Sequence, residues 1–435
     1  MRKLDRENRQ NRDAVFARGR GLTKFLLFVF LLALALRVSA VLLSSSYRVV
    51  DYGDDHFSFG WEMGRVARSL AQGNGFSSPL PSPTGPTAIV GPVYPLLLSV
   101  IFRLFGIYST ASAIAILMIQ SCIASLTCVF LYLGGRDVAG DTAGKLAALL
   151  WAMFPLNIFF AATKMWETSI SALLAAIFFW YMFSLRESLS PSRWAFAGAF
   201  LGVGALLNTS LVMLVIPYAL AAIWRHRARI AVPALAASLA FGVVLAPWLI
   251  RNHHEFGRFI LRSNFPLEFR VCNNEWSAGQ KLEDLHPAKA PYLNQRWHDI
   301  GEIGFMKEES VLNSRYLAGE RGLFAFSVVN RAVNYWTGFW IMPTADFPNS
   351  WLVILGTTLT SLLGLLGVRR MLYDKNPAGL MYAGCLLVYP VLYYLTTSQP
   401  RFYHAITPLL LVPAACWIVN WGTSLSRAQR SKASS

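Results

Sequence analysis

The stretch FLLFVFLLALALRVSAVLL, from Phe25 to Leu43, decides the fold class of this chain. It contains one charged side chain, Arg37, and an apolar helix of 19 residues is long enough to cross about 30 Å of hydrocarbon. The run is too long for the apolar region of a signal peptide, and no small-residue cleavage site follows it. It therefore predicts a retained membrane-spanning helix, in which Arg37 either reaches the interface or faces a polar cavity.

The composition extends this prediction to the whole chain. Of its 435 residues 55% are hydrophobic and 14% are charged, whereas a soluble domain has about 25% charged residues. We therefore expect an all-α polytopic integral membrane protein with about 10–13 transmembrane helices and external amphipathic helices. Two apolar stretches, 92–106 and 323–342, fit either a membrane-surface helix or a span. The remaining predicted spans lie near 109–133, 146–160, 168–185, 194–207, 211–224, 230–250, 351–368, 378–395 and 405–421.

The distribution of charge predicts the topology. The net charge of +16 would suggest nucleic acid in a soluble protein, but here the basic residues concentrate in the segments on one side of the predicted membrane. This positive-inside pattern places both termini in the cytoplasm and argues against a nucleic-acid partner. The predicted organisation is a basic cytoplasmic tail (1–24), a single transmembrane module (25–421) with long external segments at about 44–108 and 251–350, and a short basic cytoplasmic tail (422–435).

The first external segment opens with an acidic cluster, in the sequence YRVVDYGDDHFSFGWEMGRVARSLAQGNGF. Asp51, Asp54 and Asp55 come just after the first span, and His56 and Glu62 follow them. The segment then continues as an amphipathic helix, so the acids lie at its N-terminal end, where the helix dipole favours carboxylates. A solvated helix cap explains Asp54 and Asp55 equally well. A divalent metal site is possible but not indicated, and no cofactor is expected.

Two short outer connections carry further candidate residues. Lys164 and Glu167 lie three residues apart in ATKMWETS, and they either form an interfacial ion pair or face a polar cavity. Arg401 and His404 lie in TTSQPRFYHAITPLLL. A guanidinium at this depth suits a phosphate group, and anchoring to lipid headgroups is the alternative. Cys272 is the single cysteine outside the predicted spans, so no internal disulfide is expected in the external segments.

Several stretches in this order resemble the C-type glycosyltransferase superfamily (GT-C), in particular the bacterial family 39 type, which includes protein O-mannosyltransferases and the lipid A aminoarabinose transferase. The resemblance covers nearly the whole chain. The stretches that carry it are DDHFSFGWEMGRVARSLAQGNGF, GPVYPLLLSVIFRLFG, KMWETSISALL, APWLIRNHHEFGRFILRSNFPLEFRVCNN, the GEIGF stretch with Glu302, and QPRFYHAITPLLL.

The resemblance implies a bundle of GT-C type that transfers a monosaccharide from a polyprenyl-phosphate donor, on the extracytoplasmic side of the bacterial inner membrane. It implies that Asp55 is the catalytic acid of the first outer loop, with Asp54 as the alternative register, and that Glu167 is the acid of the second. The Arg-Tyr pair of the family appears here as Arg401-Phe402. The acceptor, whether lipid, glycan or protein, stays unidentified.

These residues suggest a division of roles. A lipid phosphate leaves as a stable anion, so the reaction needs a base for the acceptor hydroxyl and cations for the phosphate. We expect Asp55 to be that base, with Asp54 as its alternative, and Lys164, Glu167, Arg401, Glu62 and His404 to contact substrate. A single displacement would invert the anomeric centre. A lipid-linked saccharide flippase or a non-catalytic membrane subunit of envelope assembly are the competing functions.

Overall fold

A computed structural model describes residues 2–49, 59–277, 281–339 and 351–433, with side chains described from residue 21 to residue 422 except 352. These parts contain seventeen helices, joined by loops, and no β-strand. They also contain three short 3-10 segments, at Thr209–Leu214, Arg227–Ile230 and Glu283–Leu285. The helices are α1 Arg2–Ser44, α2 Glu62–Ala71, α3 Val93–Phe105, α4 Thr110–Ala139, α5 Asp141–Met153, α6 Pro155–Thr163, α7 Thr168–Leu185, α8 Pro191–Leu207, α9 Val215–His226, α10 Ala231–Phe256, α11 Phe265–Arg270, α12 Pro291–Gly319, α13 Arg321–Thr337, α14 Trp351–Tyr373, α15 Pro377–Val388, α16 Val391–Leu395 and α17 Pro400–Ala433.

Each predicted span falls on a helix or on a pair of consecutive helices. By length and composition, seven helical segments in the described parts can cross a membrane, or eight if α5 and α6, which meet at a 51° bend, form one broken span. The predicted number of 10–13 is higher for two reasons. The segment Thr209–Phe256 counts here as one, although the charged turn Arg227–Ile230 divides it, and the apolar α8 has only 17 residues.

The polar N-terminal segment is continuous with the first span, because α1 begins at Arg2. α3 is 13 residues long, or about 20 Å, which is too short to cross the hydrocarbon. The first predicted ambiguous stretch, 92–106, is therefore a short helix. We call the side of the bundle from which the segments 44–108 and 251–350 emerge the long-loop side.

Arg37 lies inside the bundle and braces the bend between α5 and α6. Its side chain is fully buried, and Nη1 and Nη2 donate to the carbonyls of Ala152 (3.2 Å) and Trp151 (3.3 Å). Pro155 has no N–H to donate to the carbonyl four residues earlier, which is that of Trp151. Arg37 therefore supplies a donor that the broken helix lacks, and it neither reaches the interface nor opens onto a cavity.

Small residues bring the helices into close contact. An added Cβ on Gly198 of α8 would lie 1.9 Å from the Ala237 carbonyl oxygen of α10, and one on Gly367 of α14 would lie 2.0 Å from the Pro413 oxygen of α17. α14 and α17 run parallel here, since Thr357 meets Tyr403 and Gly367 meets Pro413. This packing through small residues is typical of membrane helix interfaces.

We expect Gly367→Ala to lower the free energy of unfolding by about 1–3 kcal/mol, because the new methyl must push α17 away from α14. Thermal unfolding in detergent measures this change. The matched control is Gly242→Ala in α10, where nothing lies within 4 Å of the added Cβ, so the alanine should keep or raise stability. Equal transition temperatures for Gly367→Ala and Gly242→Ala would contradict the close packing.

A buried acid in α12, within the second external segment, should set the pH dependence of the protein's stability. Glu309 of α12 is buried, with Nε of Arg270 at 3.9 Å from its carboxylate. Burial raises the pKa of Glu309 to about 7, and Arg270 only partly opposes it. Between pH 4.5 and 7 the unfolded chain loses this proton and the folded chain keeps it, so stability falls as the pH rises through this window.

We therefore expect Glu309→Gln to flatten the decline of stability between pH 4.5 and 7 and to raise the free energy of unfolding at pH 8 by about 1–3 kcal/mol. Unfolding curves at several pH values test this. Glu308→Gln is the control, because Glu308 is exposed and pairs with Arg296. If Glu309→Gln leaves the slope of the unfolding free energy against pH unchanged, other groups cause the pH dependence.

Candidate active site

Two short connections on the long-loop side meet around one tryptophan. Lys164, Trp166 and Glu167 occupy the link between α6 and α7, and Arg401 lies at the start of α17. The guanidinium carbon of Arg401 lies 4.8 Å from the ring centre of Trp166 and 4.7 Å from that of Phe402. The tertiary structure thus joins two predicted elements that are more than 230 residues apart in the chain.

Arg401 is positioned for a ligand. Its Nε is buried and has no hydrogen-bond partner among the described residues, and its flat guanidinium is held by two aromatic rings. Guanidinium groups held in this way bind oxyanions through paired N–H donors. A buried charged donor that lacks an acceptor is costly, so the group calls for an anion that the described residues do not supply.

Glu167 has a comparable unsatisfied atom. Its Oε2 is buried without a hydrogen-bond partner in the described structure. Lys164, three residues earlier, has an extended backbone (φ −122°), and its carbonyl accepts a hydrogen bond from Gln120 Nε2 at 2.7 Å. Gln120 in turn accepts from the Tyr94 hydroxyl, so α3 and α4 together hold this connection in place. Because the backbone at Lys164 is extended, Lys164 and Glu167 do not lie on successive turns of one helix.

Arg262 is a site residue that the sequence analysis did not single out. Its Nε and Nη2 both donate to the carbonyl of Ile89, at 3.0 and 2.9 Å. Burial lowers the pKa of its guanidinium, and the negative charges of Glu167, Glu268 and Glu62 act against that shift. Arg262 is one of ten basic residues between 251 and 321, so only the fold distinguishes it from the others.

Tyr393 brings a hydroxyl to this cluster. Its ring stacks on Phe402, with 4.1 Å between the ring centres, and its hydroxyl donates to Ser210 Oγ at 2.8 Å. Phe402 stands where the resemblance expects a tyrosine. A tyrosine of α16 therefore lies against the Arg401-Phe402 pair from a different helix.

Glu62 is the first residue of α2, and its negative charge acts on Arg262. Its Oε1 is 3.3 Å from Nε2 of His286, and the Nδ1 of that ring accepts from the Ala288 N–H, so the neutral ring carries its proton on Nε2. Burial alone would raise the pKa of Glu62, but His286 and Lys281 outweigh it, and the pKa falls to about 2. Glu62 is therefore an anion bound to the protein, and it is not suited to carry a proton at neutral pH.

A strap formed by residues 87–91 joins the two long external segments at this point. Glu302, just after the break of α12 at Gly301, accepts from the Ala88 N–H (2.8 Å) and from Ser263 Oγ (2.6 Å). Burial raises the pKa of Glu302, and its hydrogen bonds oppose that shift. Glu302 thus fixes the same strap that Arg262 contacts at Ile89.

His404 lies apart from this cluster. It is fully buried in α17, with Nδ1 2.8 Å from Asn157 Oδ1, and its ring stacks between Trp151 and Phe160. This places it in the core beside the bend of α5 and α6. Its one-turn spacing from Arg401 does not bring it to Trp166 and Glu167.

The acidic cluster Asp51, Asp54 and Asp55 and the adjacent His56 lie outside the described residues. The described residues before this cluster stop at 49, and those after it begin at Phe59, three residues before Glu62. Within the described ranges no group of three or more His, Cys, Asp or Glu side chains could hold a metal ion.

Comparisons with known proteins agree with this architecture. Residues 88–250 match the model of the dolichyl-phosphate-mannose-protein mannosyltransferase family, and no curated protein sequence matches the chain. The apo oligosaccharyltransferase of Archaeoglobus fulgidus has a similar structure, with 17% identity, 94% of this chain and 52% of that chain covered, and a TM-score of 0.54. The oligosaccharyltransferase AglB from Archaeoglobus fulgidus, in complex with an inhibitory peptide and a dolichol-phosphate, gives 17% identity, 92% and 52% coverage, and a TM-score of 0.50.

ArnT from Cupriavidus metallidurans bound to undecaprenyl phosphate matches with 13% identity, 88% and 77% coverage, and a TM-score of 0.39. The chain spans about half the length of the archaeal enzymes that it matches. The likeness to the archaeal enzymes shows a shared fold that covers nearly the whole of this chain. The chain has the fold of the archaeal oligosaccharyltransferase, and its residues 88–250 are similar to the dolichyl-phosphate-mannose-protein mannosyltransferase family.

Proposed function

We propose that this protein is a membrane glycosyltransferase that moves a monosaccharide from a polyprenyl-phosphate donor to an acceptor on the extracytoplasmic side of the membrane. The observation that carries the proposal is the guanidinium of Arg401, which is held between Trp166 and Phe402 and has a buried nitrogen without an acceptor in the described parts of the chain. A lipid phosphate at the membrane surface supplies the missing oxygen atoms.

The donor phosphate would lie against Arg401, with Lys164 and Arg262 as further cations. As the bond between the anomeric carbon and the phosphate oxygen breaks, its electrons pass to the phosphate, and the guanidinium stabilises the charge that develops there. A polyprenyl phosphate, once released, keeps this interaction. The archaeal oligosaccharyltransferase was solved with a dolichol-phosphate, which supports a lipid phosphate as the ligand class.

Asp55, with Asp54 as the alternative register, would take the proton of the acceptor hydroxyl while that oxygen attacks the anomeric carbon. A single displacement of this kind inverts the anomeric centre. Glu167, whose Oε2 has no partner within the described ranges, would accept a hydrogen bond from the sugar or the acceptor. The transferred group would be a hexosyl or pentosyl unit, and the acceptor a lipid, a glycan or a protein.

The positive-inside charge pattern supports cytoplasmic termini and a site that faces away from the cytoplasm, in the inner membrane of a bacterium. Labelling of a cysteine introduced at an exposed position of the long-loop side, such as Arg258, with a reagent that does not cross membranes tests this orientation. Protection of that cysteine in intact cells would reverse the topology.

The decisive experiment incubates the purified protein with a panel of polyprenyl-phosphate sugars and follows the release of polyprenyl phosphate. The expected result is release that depends on the identity of the sugar and on an added acceptor. Movement of a labelled lipid across proteoliposomes without release would favour a flippase. If neither release nor lipid movement occurs with any donor of the panel, and other proteins co-purify, the result would favour a non-catalytic subunit.

A further inference from the structure

The helix α13 has the reverse of the side-chain pattern that a helix in water requires. Its exposed side is apolar and consists of Ala325, Phe326, Val329 and Val333, of which the last three are 59%, 63% and 52% exposed. Its buried side is mostly polar and consists of Ser327, Arg331, Asn334 and Tyr335. A helix on a water-facing surface buries its apolar side, so this arrangement indicates an apolar surrounding. We call the four exposed residues the outer stripe.

The preceding helix provides the contrast. The exposed face of α12 includes the charged side chains Lys307, Glu308 and Arg315, as expected for a helix in water. The two helices are joined at Glu320 and Arg321, which are both exposed, and the outer stripe begins four residues later. The surrounding of the chain therefore changes from water to an apolar medium between α12 and the middle of α13.

The C-terminal end of α13 lies deeper in the bundle than the long-loop end of α14. The Thr358 hydroxyl donates to the Thr337 carbonyl at 2.7 Å, and Thr358 is seven residues, or about 10 Å, inside α14. The Tyr335 hydroxyl donates to the Phe402 carbonyl near the start of α17 at 3.3 Å. Since α14 and α17 are candidate spans, the end of α13 reaches the depth of their first turns.

The buried charge of α13 is compensated from within the protein. Arg331 is 1% exposed, and its guanidinium donates to the carbonyls of Tyr394 (2.9 Å) and Cys272 (2.7 Å) and to Asn273 Oδ1 (2.7 Å). A charged group in a membrane-facing helix is tolerated where it turns inward and finds such acceptors. The inward face thus connects α13 to the helix that carries Tyr393.

We infer that α13 enters the bilayer obliquely from the long-loop side, with its outer stripe in contact with the hydrocarbon chains of the adjacent leaflet and its polar face turned to the candidate active site. This is a lipid-binding surface outside the helices that qualify as spans. It is independent of the reaction proposed above. Of the second ambiguous stretch, 323–342, it assigns residues 323–337 to a helix that inserts into the membrane without crossing it.

Nitroxide labels on single cysteines in proteoliposomes test this inference, in a background with the exposed Cys122 replaced by alanine. We expect labels at Val329 and Val333 to collide freely with oxygen and rarely with a water-soluble nickel complex, as a label at the exposed Val243 of α10 should. The matched control is Val311 of α12, which is 46% exposed and should show the opposite preference. Nickel accessibility at Val329 and Val333 equal to that at Val311 would overturn the inference.

A second pair of variants gives an independent result. Val329→Lys should lower the equilibrium constant for folding in the membrane by on the order of tenfold, because an ammonium in hydrocarbon is costly. Val311→Lys should leave folding unchanged, because its helix faces water. If both variants fold as well as the wild type, α13 lies in water. If Val329→Lys does not fold at all, the nitroxide labels still decide the question.

Discussion

Arg401→Met is expected to weaken the binding of polyprenyl phosphate and to lower turnover by about 10²–10³-fold, the cost of removing one donor to a developing oxyanion. Methionine keeps an unbranched side chain between Trp166 and Phe402 but removes every N–H of the guanidinium. Because Nε is buried and no described residue accepts from it, the wild-type side chain gives up no hydrogen bond from Nε to those residues when it binds a phosphate. The N–H of Nε is therefore available to bind the ligand.

Two measurements check this result. The affinity for polyprenyl phosphate is obtained by titration of the purified protein, and turnover by the release assay. Arg370→Met is the matched control, because Arg370 lies near the far end of α14, exposed and paired with Asp374 at 2.8 Å. Unchanged affinity in Arg401→Met, with normal thermal unfolding, would remove Arg401 from the donor site.

Asp55→Asn is expected to lower turnover by about 10²–10⁴-fold, which is the usual contribution of a general base. Asparagine is nearly the same size as aspartate but cannot accept the proton of an acceptor hydroxyl. Donor binding should change little, since Asp55 acts on the acceptor. The measurement is therefore the turnover number at saturating donor, alongside the affinity for polyprenyl phosphate.

Asp54→Asn is the matched variant, because the two positions represent alternative registers of the same acid. A large loss in only one of them assigns the base, and a loss in Asp54→Asn alone would move the role to Asp54. Wild-type transfer in both purified variants would contradict the proposed base and leave the phosphate site of Arg401 standing.

The spans were predictable from the sequence because membrane insertion depends on local composition. A run such as Phe25–Leu43 needs no tertiary partner to identify it. The sequence also placed Lys164, Glu167 and Arg401 on one side of the membrane, through the rarity of charge in the short outer connections. In the structure the side chains of Lys164 and Arg401 meet at the ring of Trp166, and Glu167 is the next residue in the chain.

Other parts of the site depend on distant contacts. Arg262 is one cation among many in its segment until its contact with Ile89 identifies it, and Tyr393 reaches Arg401 only through its stacking on Phe402. His404 shows the reverse case. It stands three residues after Arg401, on nearly the same face of α17, yet one turn further along the helix its ring contacts Asn157 and packs between Trp151 and Phe160 in the core.

By itself, the sequence determined the membrane class, the predicted orientation and the candidate acids, since hydropathy and charge act on each segment separately. Only the tertiary structure decided which polar groups share a site and which ones brace the fold. Arg37 illustrates this, because an arginine inside a span predicts a polar surrounding but not its nature. The carbonyls exposed by the bend at Pro155 lie more than 110 residues away along the chain, and only packing brings them to its guanidinium.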